Sequence, residues 1–228
     1  DHVKVLTKNS DISRRVFKLT SRVKLLEQTI LFSETTLSEE AFHIDLELQK
    51  LRELSTSPEL SQKMDSFIDN FHRFLGNSLS LNRILKKTQE IDGVFAKQID
   101  ELELYISNKS LLNVNESENW NYYNKLDLVS MLRESFLMTG KMVGNIHSRI
   151  TPETEQVLII EVEKELDILL LHLENIDIQS PVLNTHKNKL KKTLRKYSAA
   201  LRRIKANLDQ RWGVIEALVV AQNELLSI

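Results

Sequence analysis

Cysteine is absent from the 228 residues. That excludes disulfides, thiol catalysis and cysteine-ligated zinc. It suits an oxidising compartment without requiring one. Glycine and proline are scarce, with 5 and 3 copies. An all-β or α/β fold needs many turns, and this chain has too little punctuation to make them. No run of eighteen apolar residues occurs, so no segment is suited to span a bilayer. A secretory leader pattern and an initiating methionine are also missing. Opening at Asp1 in mid-pattern, the chain reads as a piece of a longer protein, with membrane spans among the expected flanks. The formal net charge of −1 gives no overall steering toward nucleic acid or anionic membrane.

Motifs of catalysis are missing as well. There is no glycine-rich phosphate loop, no Gly-x-Ser-x-Gly elbow and no His-Glu-x-x-His pair. The histidines at 2, 43, 72, 147, 172 and 186 give no two-ligand spacing on one helical turn. The expectation is a non-catalytic domain with neither cofactor nor metal.

What the chain does have is helical periodicity, opened twice by the same device. Ser57-Pro58 and Ser180-Pro181 each precede a run of nearly fifty residues with no further proline. Serine is a favoured N-cap, and proline is tolerated at the first helical position because its missing N–H has no partner there anyway. In the first run Leu60, Met64, Phe67, Phe71, Phe74, Ser78, Leu81, Leu85, Thr88, Asp92, Phe95, Ile99, Leu102 and Ile106 alternate three-four without a slip. That is a heptad seam whose polar members, Ser78, Thr88 and Asp92, cluster in the middle.

Shorter helices precede each long one. The first is expected over about Val3–Thr35, with a break at Thr36–Ser38, and the second then runs to Ser55. After a polar loop at Ser107–Ser117, a fourth helix is expected over Asn119–Ile150 and a fifth from Thr151-Pro152 to about Glu174. Each long run is roughly 70 Å at 1.5 Å per residue, and each pair of short helices together matches it. Those lengths predict an all-α fold of six main helices, an elongated rod of two stacked antiparallel four-helix bundles sharing the two long helices. The expected membrane-proximal module is residues 1–36, 82–150 and 205–228; the distal module is 37–81 and 151–204. Helices one and four would then share a module, as would helices two and five.

This plan, carried by the runs Pro58–Ile106 and Pro181–Ser227 and the breaks at Thr36–Ser38 and Thr151-Pro152, resembles the helical bimodular periplasmic sensor domains of bacterial transmembrane receptors. Those include domains of chemoreceptors and of hybrid histidine kinases such as the trimethylamine N-oxide sensor. The resemblance covers the whole chain and is one of architecture. It implies a periplasmic domain of an inner-membrane sensor histidine kinase in two-component signalling. Such a domain binds a small molecule or a periplasmic binding protein, works as a homodimer and passes a helix shift across the membrane. A methyl-accepting chemoreceptor with the same domain is one alternative. A cytosolic helical scaffold rod is an alternative of a different class.

Three residue groups stand out as candidate sites. Arg133, Arg211 and Asn9 fall on predicted apolar stripes of the membrane-proximal module, where an arginine needs a carboxylate or another anion. They could line an anionic ligand pocket; structural pairing, with Asp92 as a partner, or snorkelling to solvent is the plainer reading. Lys187, Lys191 and Arg195 belong to an acid-free basic run from His186 to Lys205, a candidate docking surface for an acidic partner. The fifth helix is strongly acidic, so charge complementarity between helices five and six explains most of that run. Ser78, Thr88 and Asp92 are candidates for relaying a signal. Trp120, Tyr122 and Tyr123 would cap the bundle end or meet lipid headgroups. Gly140 and Gly144 form a small-xxx-small pair that permits close helix approach.

Overall fold

A computed structural model describes residues 2–27, 34–55, 57–112, 116–145, 152–175 and 180–227. It is all-α, with six helices and no strand among the described residues: α1 (His2–Glu27), α2 (Glu34–Leu54), α3 (Pro58–Leu112), α4 (Glu116–Asn145), α5 (Pro152–Glu174) and α6 (Pro181–Leu226). Both long helices start at the expected prolines. Ser57 Oγ accepts from the backbone N–H of Leu60 at 3.5 Å, and Ser180 Oγ accepts from that of Leu183 at the same distance. Each serine thus serves one of the donors that a helix start leaves unpaired.

The chain divides into two compact units. The first holds Asp1–Arg83 and Ala206–Ile228, and the second holds Ile84–Lys205. In the first unit α1, α2, the first half of α3 and the last part of α6 pool their stripes into one core, built on residues such as Val23, Ile44, Phe67, Phe71 and Leu218. In the second, the rest of α3 and α6 close with α4 and α5 around Phe95, Ile99, Leu132, Leu169 and Leu190. Full burial of side chains of this size stabilises by about 1.5–3 kcal/mol each, which is why the apolar stripes decide the packing.

Ion pairs report the helix directions. Arg15 meets Glu47 at 3.9 Å and Arg22 meets Glu40 at 3.1 Å. A step of seven forward on α1 is a step of seven back on α2, so the two are antiparallel neighbours. The same holds for α2 and α3, where His72 and Asp45 share a hydrogen bond at 2.9 Å and Arg52 meets Asp65 at 3.3 Å. The units therefore group α1 with α2 and α4 with α5, where the sequence reading grouped α1 with α4 and α2 with α5. Matching lengths do not distinguish a break that continues a helix's direction from one that reverses it.

Two boundaries also differ. Thr35, Thr36 and Ser38 lie within α2, so the expected break does not fall there. Serine and threonine cost a helix only a few tenths of a kcal/mol, less than is gained by burying Leu37. α3 continues past Ile106 to Leu112, and α4 begins at Glu116, so the polar stretch read as a loop is largely helical.

The two caps differ in one respect. Ser180 Oγ also lies 3.2 Å from the Tyr105 hydroxyl, so its loss strips a second group of its partner. Ser57→Ala is expected to lower unfolding free energy by about 0.5–1 kcal/mol, and Ser180→Ala by more, as urea titrations of the two variants will show.

Candidate functional site

The first unit buries a cation. Arg211 follows Leu208 at heptad spacing on α6 and is 1% exposed. Its Nη1 donates to Ser78 Oγ at 2.7 Å, and the guanidinium carbon sits 5.0 Å from the centroid of the Phe74 ring. A hydroxyl and an aromatic face offset part of the cost of removing a guanidinium from water. One residue along, the Asn77 side-chain amide donates to the Asn207 carbonyl at 3.1 Å. Ser78 and Arg211, singled out for different roles, are thus parts of one polar layer between α3 and α6.

Arg133 belongs to the other unit and lies at its surface. It binds Asp100 through Nη1 at 2.7 Å and Glu103 through Nη2, both on α3. The bond to Asp100, more than any other influence, holds its pKa above the ordinary arginine range. Both of its terminal nitrogens are engaged by carboxylates of the protein itself. The partner suggested for a seam arginine, Asp92, is placed elsewhere. Asn9 has its side chain outside the described residues, as do Trp120, Tyr122 and Tyr123. The expected grouping of Arg133, Arg211 and Asn9 in one module does not hold for the two arginines, because α4 closes with α5 and not with α1.

Asp92 faces Tyr197 of α6 in the second unit. Each has a buried oxygen, and the two do not reach the geometry of a formed hydrogen bond. Burial raises the Asp92 carboxyl to about 6, with the nearby Tyr197 hydroxyl acting in the opposite sense. Burial, and then the charge of Asp92, raise the Tyr197 phenol. Tyr197 packs edge-on against Phe136 of α4, which in turn packs against Phe95 of α3 with centroids 4.7 Å apart. The third relay candidate, Thr88, is buried and satisfied by the carbonyl of Ile84 at 2.8 Å.

Of the basic run, Lys187 is 3% exposed and donates to the Glu174 carbonyl at 3.2 Å, at the C-terminal end of α5. Lys191 pairs with the Glu174 carboxylate. That bond first, then desolvation in the opposite sense, set the Glu174 pKa, which lies below the usual carboxylate value. Two of the three expected docking residues therefore join α5 to α6, as charge complementarity between those helices required. Arg195 is exposed. A different lysine set, Lys189, Lys192 and Lys196, lines a groove between α6 and α3. Sequence reasoning passed over it, although the spacing of three and seven marks one helical face.

Added β-carbons at Gly140 and Gly144 would meet nothing within 4 Å, so no close helix approach among the described residues uses that pair. A second depression, of about 250 Å³, lies between α5 and α6 and is lined by Val162, Leu166, Leu201 and Arg202 among others. Among the described residues no helix is long and apolar enough to cross a membrane, and no group of three His, Asp or Glu is placed to hold a metal ion. The chain matches no protein-family model, no curated protein and no solved structure.

Asp92 makes stability depend on pH with a definite sign. A raised carboxyl pKa means that the unfolded chain ionises first. The native state then loses stability as pH rises from the ordinary value of 3.8 through about 6. Asp92→Asn removes that cost. Thermal melts are expected to coincide for the two proteins near pH 3.5 and to separate above pH 6, with the variant higher by a few degrees.

Proposed function

We propose that the chain is a ligand-sensing domain of a transmembrane sensor histidine kinase, held on the periplasmic side of the inner membrane and without chemistry of its own. The observation that supports this most is the placement of buried polar groups on the two long helices. Ser78 and Asp92 on α3, with Tyr197 and Arg211 on α6, lie on both sides of the division at Arg83/Ile84 and Lys205/Ala206. An apolar core would be cheaper there. Polar groups in a helix seam fix register, and a fixed register can have a discrete alternative.

α3 and α6 run unbroken from one unit into the other. A ligand that favours one arrangement of either helix would bias the other unit through continuous backbone hydrogen bonding. Shifts of about 1–2 Å between packed helices suffice for such switching. The ligand moves the equilibrium only by its difference in affinity for the two arrangements. Signalling of this kind needs neither a metal nor a catalytic group, and it leaves the output, kinase or methyl-accepting, to the rest of the protein.

The test is placement of the full-length protein. Expressed in a Gram-negative host, it is expected in the membrane pellet, with this domain cleaved by protease added to spheroplasts. Recovery in the soluble cytoplasmic fraction, protected from the protease, would overturn the proposal in favour of a helical scaffold.

A further inference from the structure

The second unit carries a groove that none of the roles above uses. It lies between α3 and α6, where two adjoining depressions of about 500 and 350 Å³ share Val94, Thr193 and Lys196. Five lysines line it: Lys87 and Lys97 from α3, and Lys189, Lys192 and Lys196 from α6. Only Glu90 and Glu101 oppose them, one in each depression. No ion pair among the described residues engages any of the five, whereas neighbouring Lys187 and Lys191 are both held by Glu174. Five mutually repelling ammonium groups along one groove are unfavourable for the protein alone, and a bound anion relieves that repulsion.

Two polar groups in the wall strengthen the case. Thr193 is 6% exposed and lines both depressions. The hydroxyls of Thr20, Thr88, Thr139 and Thr185 each bond back to a carbonyl of their own helix, and no such bond is formed by Thr193. Gln98 has a buried amide oxygen without a hydrogen-bond partner. Its NH2 is not buried in this way, and Gln98 lines the larger depression, so the amide can donate there. A hydroxyl and an amide NH2 beside five ammonium groups form a donor-rich wall. A ligand supplying acceptors can take bonds from both, in addition to those from the lysines.

The chemistry narrows the ligand. Arginine is absent from the lining, so no bidentate fork selects a planar carboxylate. Lysine acts as a point charge and suits tetrahedral oxyanions. A lining with five cations and two anions favours a ligand of several negative charges. Lys189 to Lys196 spans about 10 Å of helix, which suits charges strung along a short chain. Aromatic platforms for nucleobases are absent from the lining. We propose that this groove binds a small soluble anion with two or more linked phosphoryl groups. As a ligand class for sensing, the proposal rests on the function proposed above; the binding itself does not depend on it.

Isothermal titration of the full chain with tripolyphosphate tests it, at about 0.15 M salt, where the screening length is about 8 Å. Saturable binding at one site per chain is expected. Lys192→Glu with Lys196→Glu should weaken it at least ~10-fold, and Thr193→Val by about 3-fold or more. Lys18→Glu with Lys24→Glu, on the exposed face of α1, should leave it unchanged, with circular dichroism showing all variants folded. The proposal fails if tripolyphosphate does not saturate or if the α1 control loses as much affinity as the groove variant. It fails equally if an acidic peptide or phosphatidylglycerol vesicles bind and tripolyphosphate does not. None of these failures alters the spheroplast result, which reads membrane placement separately.

Discussion

One continuous and mostly apolar seam organises this protein: the three-four row along α3 from Leu60 to Ile106. Each of its members except Asp92 is buried. Fifty-five residues of helix expose far more backbone and apolar surface than an isolated helix could stabilise in water. α3 therefore depends on partners along its whole length. It finds α1 and α2 for its first half, α4 and α5 for its second, and α6 beside both. The division of the chain into two units follows from this, because a short hairpin covers only half of so long a seam.

Polar residues in the seam define where apolar packing gives way. In the first unit Ser78 receives a buried guanidinium, and in the second Asp92 faces a buried phenol. Gly76 and Gly93 stand near these positions, each with open space where a β-carbon would go. Glycine inside a helix costs about 0.5–1 kcal/mol relative to alanine. Packing does not demand it at either place, so the middle of α3 carries local costs that a purely structural helix would avoid. Such costs are tolerable where conformational change is part of the task.

The periodicity of Phe67, Phe71, Phe74, Phe95 and Ile99 makes the helical class and the core of α3 readable in the sequence alone. The Ser-Pro pairs make both long helix starts readable to the residue, because a side-chain cap and a proline act locally. Partner choice among helices is not readable in the same way. It depends on whether each interruption reverses the chain, and the ion pairs that report this, Arg22 with Glu40 and Arg52 with Asp65, are far apart in sequence. The same limit governs the site. Arg133 and Arg211 look equivalent as charges on a stripe, yet one is a surface ion pair and the other lies within a core. Lys187 and Lys191 look free in the sequence, but α5 brings Glu174 against them. The lysine groove needs α3 and α6 side by side, since neither helix alone carries all five cations.

Amide hydrogen exchange along α3 tests the central claim, that one continuous helix serves both units through a polar but buried middle. The account predicts that amides at residues 78–92 exchange through the same slow opening as those at 64–74 and 95–106. Exchange of the middle segment well ahead of both flanks, at rates typical of fraying helix ends, would contradict it.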